Sequence, residues 1–192
     1  MAEFSYEIKI PKERIAVLIG TDGEIKSKIE EETSTEIDID SKEGDVFISG
    51  NEALSLFSAK EIVRAIARGF NPEIAMQLKK PDMSFEIIDL GSLLKDKQNH
   101  LLRVKGRIIG KEGKSRRLIE EMTECYISVY GKTIGVIGNY DSVVIAKKAI
   151  ESLISGSPHS SVYKWLEKKR REIKKREFEE KNEDIFKEDV DI

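Results

Sequence analysis

The chain repeats itself at a constant offset of ninety residues, and this duplication restricts its fold more than any other feature. Residues 18–33 read LIGTDGEIKSKIEEET and residues 108–123 read IIGKEGKSRRLIEEMT. Ile19, Gly20, Gly23, Ile29, Glu30, Glu31 and Thr33 thereby meet Ile109, Gly110, Gly113, Ile119, Glu120, Glu121 and Thr123. Further on, apart from short gaps, ISGN ending at Asn51 matches VIGN ending at Asn139. Each copy then enters an apolar-periodic stretch that stops at a glycine, Gly69 or Gly156. The period is a whole domain, so the pattern predicts two tandem copies of one unit and not a solenoid.

Within each copy the periodicities predict the element order β-α-α-β-β-α, an α+β fold. Phe4, Tyr6, Ile8 and Ile10 alternate as in a strand. Pro11 suits the start of a short helix over Lys12 to Ile19. A second helix to about Glu32 follows the Gly20–Gly23 turn, then strands around Ile37/Ile39 and Val46/Ile48. Asn51 is placed to cap the last helix, with Leu54, Phe57, Ala59, Ile62 and Ile66 as its expected apolar face. The second copy repeats the order over Phe85–Ile88, Leu101–Ile109, Lys114–Glu121, Tyr126–Tyr130, Ile134–Ile137 and Ser142–Ile154. Residues 71–82, with Pro72 and Pro81, read as the joint. The expected domains are 1–80, 81–157, and a basic helix with an acidic tail over 158–192.

Charge is sorted along this frame. Residues 1–80 hold 11 Lys+Arg and 16 Asp+Glu, a net of −5. Residues 81–177 hold 20 and 13, a net of +7, and residues 178–192 hold 2 and 7, a net of −5. Polyanions respond to local potential within a Debye length of about 10 Å, so the chain's total of −3 does not exclude a nucleic-acid partner.

Two glycines around two polar residues, set between helices, let another backbone approach closely, and the first amides of the following helix favour an anion. A phosphate backbone is the natural occupant. VLIGTDGEIKSKI and GRIIGKEGKSRRLI resemble the I-G-x-x-G core of KH domains, and the element order is similar to that of the eukaryotic-type KH fold. The resemblance implies a three-stranded antiparallel sheet with three helices, and a GxxG loop that clamps about four nucleotides of single-stranded nucleic acid. The loops differ in charge. Gly20, Thr21, Asp22 and Gly23 are followed by Glu24, which repels phosphate. Gly110, Lys111, Glu112 and Gly113 are followed by Lys114, Arg116 and Arg117 and preceded by Arg103, Lys105 and Arg107. The second copy is therefore expected to bind RNA and the first to serve as scaffold or protein contact.

After Gly156, Val162, Trp165, Leu166 and Ile173 fall on one side of a helix and Lys164, Lys168, Arg171 and Lys175 on the other. A helix that docks by one side and shows a cationic stripe on the other would extend the RNA track. With this tail, HSSVYKWLEKKRR, the chain resembles the small-subunit ribosome-assembly KH proteins known as Dim-two or Partner-of-NOB-one, in archaeal form. That resemblance spans residues 1 to about 177. It implies binding near the 3′ end of small-subunit ribosomal RNA in the subunit precursor, beside the endonuclease that trims that end.

Other classes fit less well. Gly113-Lys114-Ser115 copies the end of a nucleotide-binding P-loop. That loop needs a glycine where Ile108 stands, and a strand where a helix is expected. No second metal ligand lies at suitable spacing from His100, His159 or Cys125, so neither metal nor cofactor is expected. Glu30–Glu32 and Glu120–Glu121 read as surface ion-pair partners of little weight, not as a facing acid–base pair, so catalysis is not expected. With no signal peptide or membrane-length apolar run and a single cysteine, the expected location is cytoplasmic.

Overall fold

The computed structural model describes residues 4–94 and 98–188; the last acidic residues, 189–192, lie outside it, as do the side chains of 176, 177 and those from 180 onward. The first repeat runs β1 (Phe4–Lys9), α1 (Lys12–Ile19), α2 (Glu24–Thr33), β2 (Glu36–Asp40), β3 (Asp45–Gly50) and α3 (Ala53–Ala67). The second runs β4 (Met83–Asp89), α5 (Leu90–Leu94), α6 (Gln98–Ile109), α7 (Lys114–Thr123), β5 (Tyr126–Tyr130), β6 (Thr133–Asn139) and α8 (Tyr140–Ile154). The joint holds a short helix, α4 (Pro72–Ala75), which Asn71 caps by accepting from the Glu73 amide (3.0 Å). A 3-10 turn over Met76–Lys79 follows it. Helix α9 (His159–Glu188) ends the described chain.

Each repeat forms an antiparallel three-stranded sheet with its last strand in the middle, ordered β1-β3-β2 and β4-β6-β5. Helices cover one face of each. In the first repeat Ile37, Val46 and Ile48 pack under Leu18, Ile29, Leu56, Ile62 and Ile66. In the second, Ile127, Ile134 and Val136 pack under Val104, Ile108, Ile119, Val143 and Ile150. Pro11 is the residue before α1, as expected, but α3 starts after Glu52 and not after Asn51, with no side-chain cap. Its buried face is Leu56, Ala59, Ile62, Val63 and Ile66. Leu54 and Phe57, expected inside, are 76% and 53% exposed.

The second faces of the two sheets differ, and β6 records the difference. Thr133 to Gly138 are all buried, because the face of Phe85, Ile87, Gly135, Ile137, Tyr126, Ser128 and Tyr130 lies against the first repeat. Phe70, 3% exposed, meets Phe85 edge-on at 5.8 Å between ring centroids. A Cβ on Gly135 would come within 2.6 Å of the Phe70 ring, so that glycine is what lets the ring lie on the sheet. Hydrogen bonds edge the seam: Ser128 Oγ donates to the Arg68 carbonyl (2.9 Å) and Tyr130 Oη to a Glu13 carboxylate oxygen (2.5 Å). The latter bond is the chief cause that holds the Glu13 carboxyl below its usual range.

Candidate nucleic-acid interface

The site is built from the turn between α6 and α7. Its backbone is the same in both repeats: Gly110 at φ 72°, Glu112 at φ 54°, Gly113 at φ 76°, against Gly20 at 75°, Asp22 at 51° and Gly23 at 84°. The two glycines do different work. A Cβ on Gly110 would lie 2.7 Å from the Ser115 Cβ and 2.8 Å from its amide nitrogen, so Gly110 seals the turn against α7. A Cβ on Gly113 would meet nothing within 4 Å. Open space therefore stands over Gly113, at the head of α7, where Gly113 offers no side chain to cap the first amides. An anion can take that place.

Around this opening the second repeat gathers cations. Lys111, Lys114 and Arg117 are exposed, and Arg117 folds back to donate from Nη2 to the Glu112 carbonyl (2.7 Å). Arg103 is exposed on α6, about 10 Å along the helix from Gly110, with half-buried Lys105 nearby. Arg116 is half-buried and leans toward Glu120 (Nε to Oε2, 3.5 Å). The first repeat shows Thr21, Asp22 and Glu24 to solvent at the matching places.

Arg107 has another job than the phosphate contact expected of it. Its Nε donates to the Leu153 carbonyl (3.2 Å) and its Nη2 to the Ser157 carbonyl (2.7 Å), at the end of α8. Arg14 does the same in the first repeat, to Ile66 (2.8 Å) and Phe70 (2.7 Å). A guanidinium on the last carbonyls of a helix satisfies acceptors that have no partner within the helix and meets the negative end of its dipole. His159 completes the joint, its Nε2 lying 2.8 Å from the Arg107 carbonyl oxygen.

Glu30 and Glu120 make the ion pairs expected, with Lys26 (3.2 Å) and Arg116, and each also holds a backbone amide. Glu120 Oε1 accepts from the Ile127 amide (2.8 Å) and Glu30 Oε1 from the Ile37 amide (2.7 Å), each tying the second helix of a repeat to its neighbouring strand. Glu120→Ala leaves the Ile127 amide without its acceptor and is expected to cost about 1–3 kcal/mol. Glu120→Gln keeps an acceptor and should recover most of it; urea denaturation measures both.

Helix α9 lies on α7 and α8 of the second repeat. Val162 and Leu166 are buried, Trp165 is half-buried with the Lys148 ammonium 5.6 Å from its ring, and Ile173 lines the seam with Met122 and Ile145. Lys164, Lys168, Arg171 and Lys175 share the open side, as expected of the stripe, but Glu167 and Glu172 are interleaved with them. Lys168 lies 4.0 Å from Glu172 and Lys175 lies 3.7 Å from Glu179, so the stripe's field is diluted. Cys125 is buried, which pushes its thiol up to about 11, so at neutral pH it is uncharged. Among the described residues no group of His, Cys, Asp and Glu is arranged to hold a metal ion.

Comparison with known proteins agrees with this architecture. Residues 84–171 match a model described as a eukaryotic-type KH domain (KH-domain type I), and residues 5–65 match a KH-domain model. A KH domain-containing protein of Methanocaldococcus jannaschii is 46% identical over 176 residues, covering 90% of this chain and 77% of that one. The RNA-binding protein pno1 of Dictyostelium discoideum is 32% identical over 166 residues, covering 83% and 69%. Several other eukaryotic relatives are longer; the chain spans 48% of the pre-rRNA-processing protein pno1 of Aspergillus oryzae. Among solved structures, Dim2p in the a/eIF2alpha–aDim2p–rRNA complex of Pyrococcus horikoshii superposes with a TM-score of 0.82 at 46% identity, covering 88% of this chain and 95% of that one. The chain belongs to the Pno1/Dim2 family of tandem KH-domain proteins.

Proposed function

We propose that this protein is a non-catalytic, cytoplasmic RNA-binding factor of ribosome biogenesis, which grips single-stranded RNA at the GKEG turn of its second KH domain (81–157). The first domain (1–80) then serves as its scaffold. The observation that carries this reading is the pair of turns with one backbone and different charge: an open anion place edged by Lys111, Lys114 and Arg117 in one and by Thr21, Glu24 and Ser27 in the other, with an acid, Glu112 or Asp22, common to both. The helix α6 before the turn, where a nucleotide-binding P-loop has a strand, speaks against that enzyme class. Among the described residues no helix is long and apolar enough to cross a membrane.

The RNA we assign is the 3′-end region of small-subunit (16S) ribosomal RNA in the subunit precursor, with the 3′-end maturation endonuclease as neighbour. Support comes from relatives named for pre-rRNA processing and from the solved Dim2p complex, which contains rRNA. The stripe of α9 would hold RNA that runs on past the turn. Fluorescence anisotropy tests this with a labelled 3′-end oligonucleotide, the same strand annealed to its complement, and an unrelated single strand of equal length. The free 3′-end strand is expected to bind at least about tenfold more tightly than the duplex, because a KH turn needs splayed bases, and more tightly than the unrelated strand. Equal affinity for both single strands would leave a general factor of RNA decay or translation.

A further inference from the structure

The first repeat carries a larger aromatic surface than the second, where Tyr140 and Val144 are the exposed apolar residues at the start of the last helix. Phe4 and Tyr6 on β1 are 43% and 39% exposed, and Leu54 and Phe57 on α3 are the other members. Phe4 and Tyr6 sit opposite Gly50 and Ile48 and so share the helix-covered face of the sheet, beside α3. The Lys60 ammonium, one turn after Phe57, lies 4.2 Å from the Tyr6 ring, which ties the two elements into one surface. Strand register and the two arginine clamps match these four positions to Ser84, Glu86, Asp141 and Val144. A single fold thus presents two polar strand positions, an aspartate and a valine in one copy and three aromatic rings with a leucine in the other.

Two further features lie beside this flank. Strand β1 is at the edge of its sheet, and Phe4 to Glu7 are exposed, so its outer backbone groups are available to another strand. The open face of the same sheet is acidic: Glu7, Asp45, Glu36, Asp38 and Asp40 lie around Phe47, and Lys9 is paired with Asp45 (3.3 Å). Side chains of a strand added at β1 would alternate between the two sides, one set over the aromatic flank and the other beside Glu7, with Asp45 one strand and the β2 carboxylates two strands further in.

We infer that the first repeat is a protein-docking domain whose β1 edge takes an extended segment of a partner protein with alternating apolar and Lys/Arg residues. The acidic face beside it disfavours RNA, and the mixed apolar and acidic sides favour that segment over a second copy of this chain, whose β1 brings another Glu7 and a cation, Lys9, already paired with Asp45.

The test is a titration of the isotope-labelled full chain with a synthetic peptide that alternates valine or isoleucine with lysine or arginine. Binding should shift and protect the amides of Phe4 to Glu7 without moving those of the GKEG turn. A peptide N-methylated on alternate residues, or one with glutamate for each cation, should bind at least tenfold more weakly. The double variant Leu54→Glu, Phe57→Glu, whose side chains are exposed, should weaken the parent peptide at least tenfold and leave RNA affinity unchanged. The inference is overturned if the parent peptide does not bind, if the N-methylated peptide or the double variant matches the parent complex, or if an RNA oligonucleotide occupies the flank. A dimer in sedimentation that the double variant abolishes would also overturn it, by making a second copy the occupant.

Discussion

Lys111→Asp should lower affinity for single-stranded RNA by at least about thirtyfold, while Thr21→Asp in the first repeat should change it by less than about twofold. The first substitution removes a cation beside the open place over Gly113 and leaves two adjacent carboxylates, at 111 and 112, in its stead. A charge-assisted contact contributes about 1.5–3 kcal/mol, and each 1.4 kcal/mol is a factor of ten. The second alters a turn of the same backbone that already bears Asp22 and is followed by Glu24. Both positions are exposed, so the fold should be unaffected, and circular dichroism checks that the loss lies in binding. Equal losses at the two turns would mean that both grip RNA. Glycine substitutions are poorer probes of the same idea: Gly110→Asp drives a side chain into Ser115 and disturbs α7, whereas a side chain at Gly113 enters open space.

The largest effect on stability is expected at the seam between the repeats. Phe70→Ala removes a ring that is 3% exposed and packed on Gly135 and Phe85, at a cost of about 3–5 kcal/mol. Gly135→Val acts from the opposite side, by forcing methyl groups into the space of that ring. The wild type should unfold in one calorimetric transition, since the second sheet is buried on both faces. Either variant should separate it into two, with the second repeat melting first because it loses the cover of Phe85, Ile87 and Ile137. A single, merely shifted transition in Gly135→Val would show that the repeats are coupled elsewhere.

What could be read beforehand, and what could not, follows from the range of each interaction. The duplication, the two GxxG turns and the buried side of α9 leave periodic or repeated traces, and Val162 and Leu166 are buried as their spacing implies. The seam leaves a fainter trace: Thr133 to Gly138 carry no alternation of apolar and polar residues, as in a strand covered on both faces. Leu54 and Phe57 misled for the opposite reason, since helical periodicity cannot tell a core face from a face kept for a partner. The roles of Arg107 and Glu120 had no local signature. Their bonds run to Leu153, 46 residues away, and to the backbone of the strand beyond the next turn. Only the parallel bonds of Arg14 and Glu30 show them to be parts of the unit itself.

The packed seam also decides how two binding surfaces on one chain can cooperate. Modules on a flexible tether gain avidity through an effective concentration set by tether length. Here no tether exists, because Phe70 and Gly135 lock one repeat onto the sheet of the other. Whatever the first repeat carries is therefore delivered to bound RNA at one distance and one angle. Selectivity becomes a matter of whether a third molecule fits that fixed angle, and lengthening the joint at residues 80–82 would relax the angle only if the seam were broken as well.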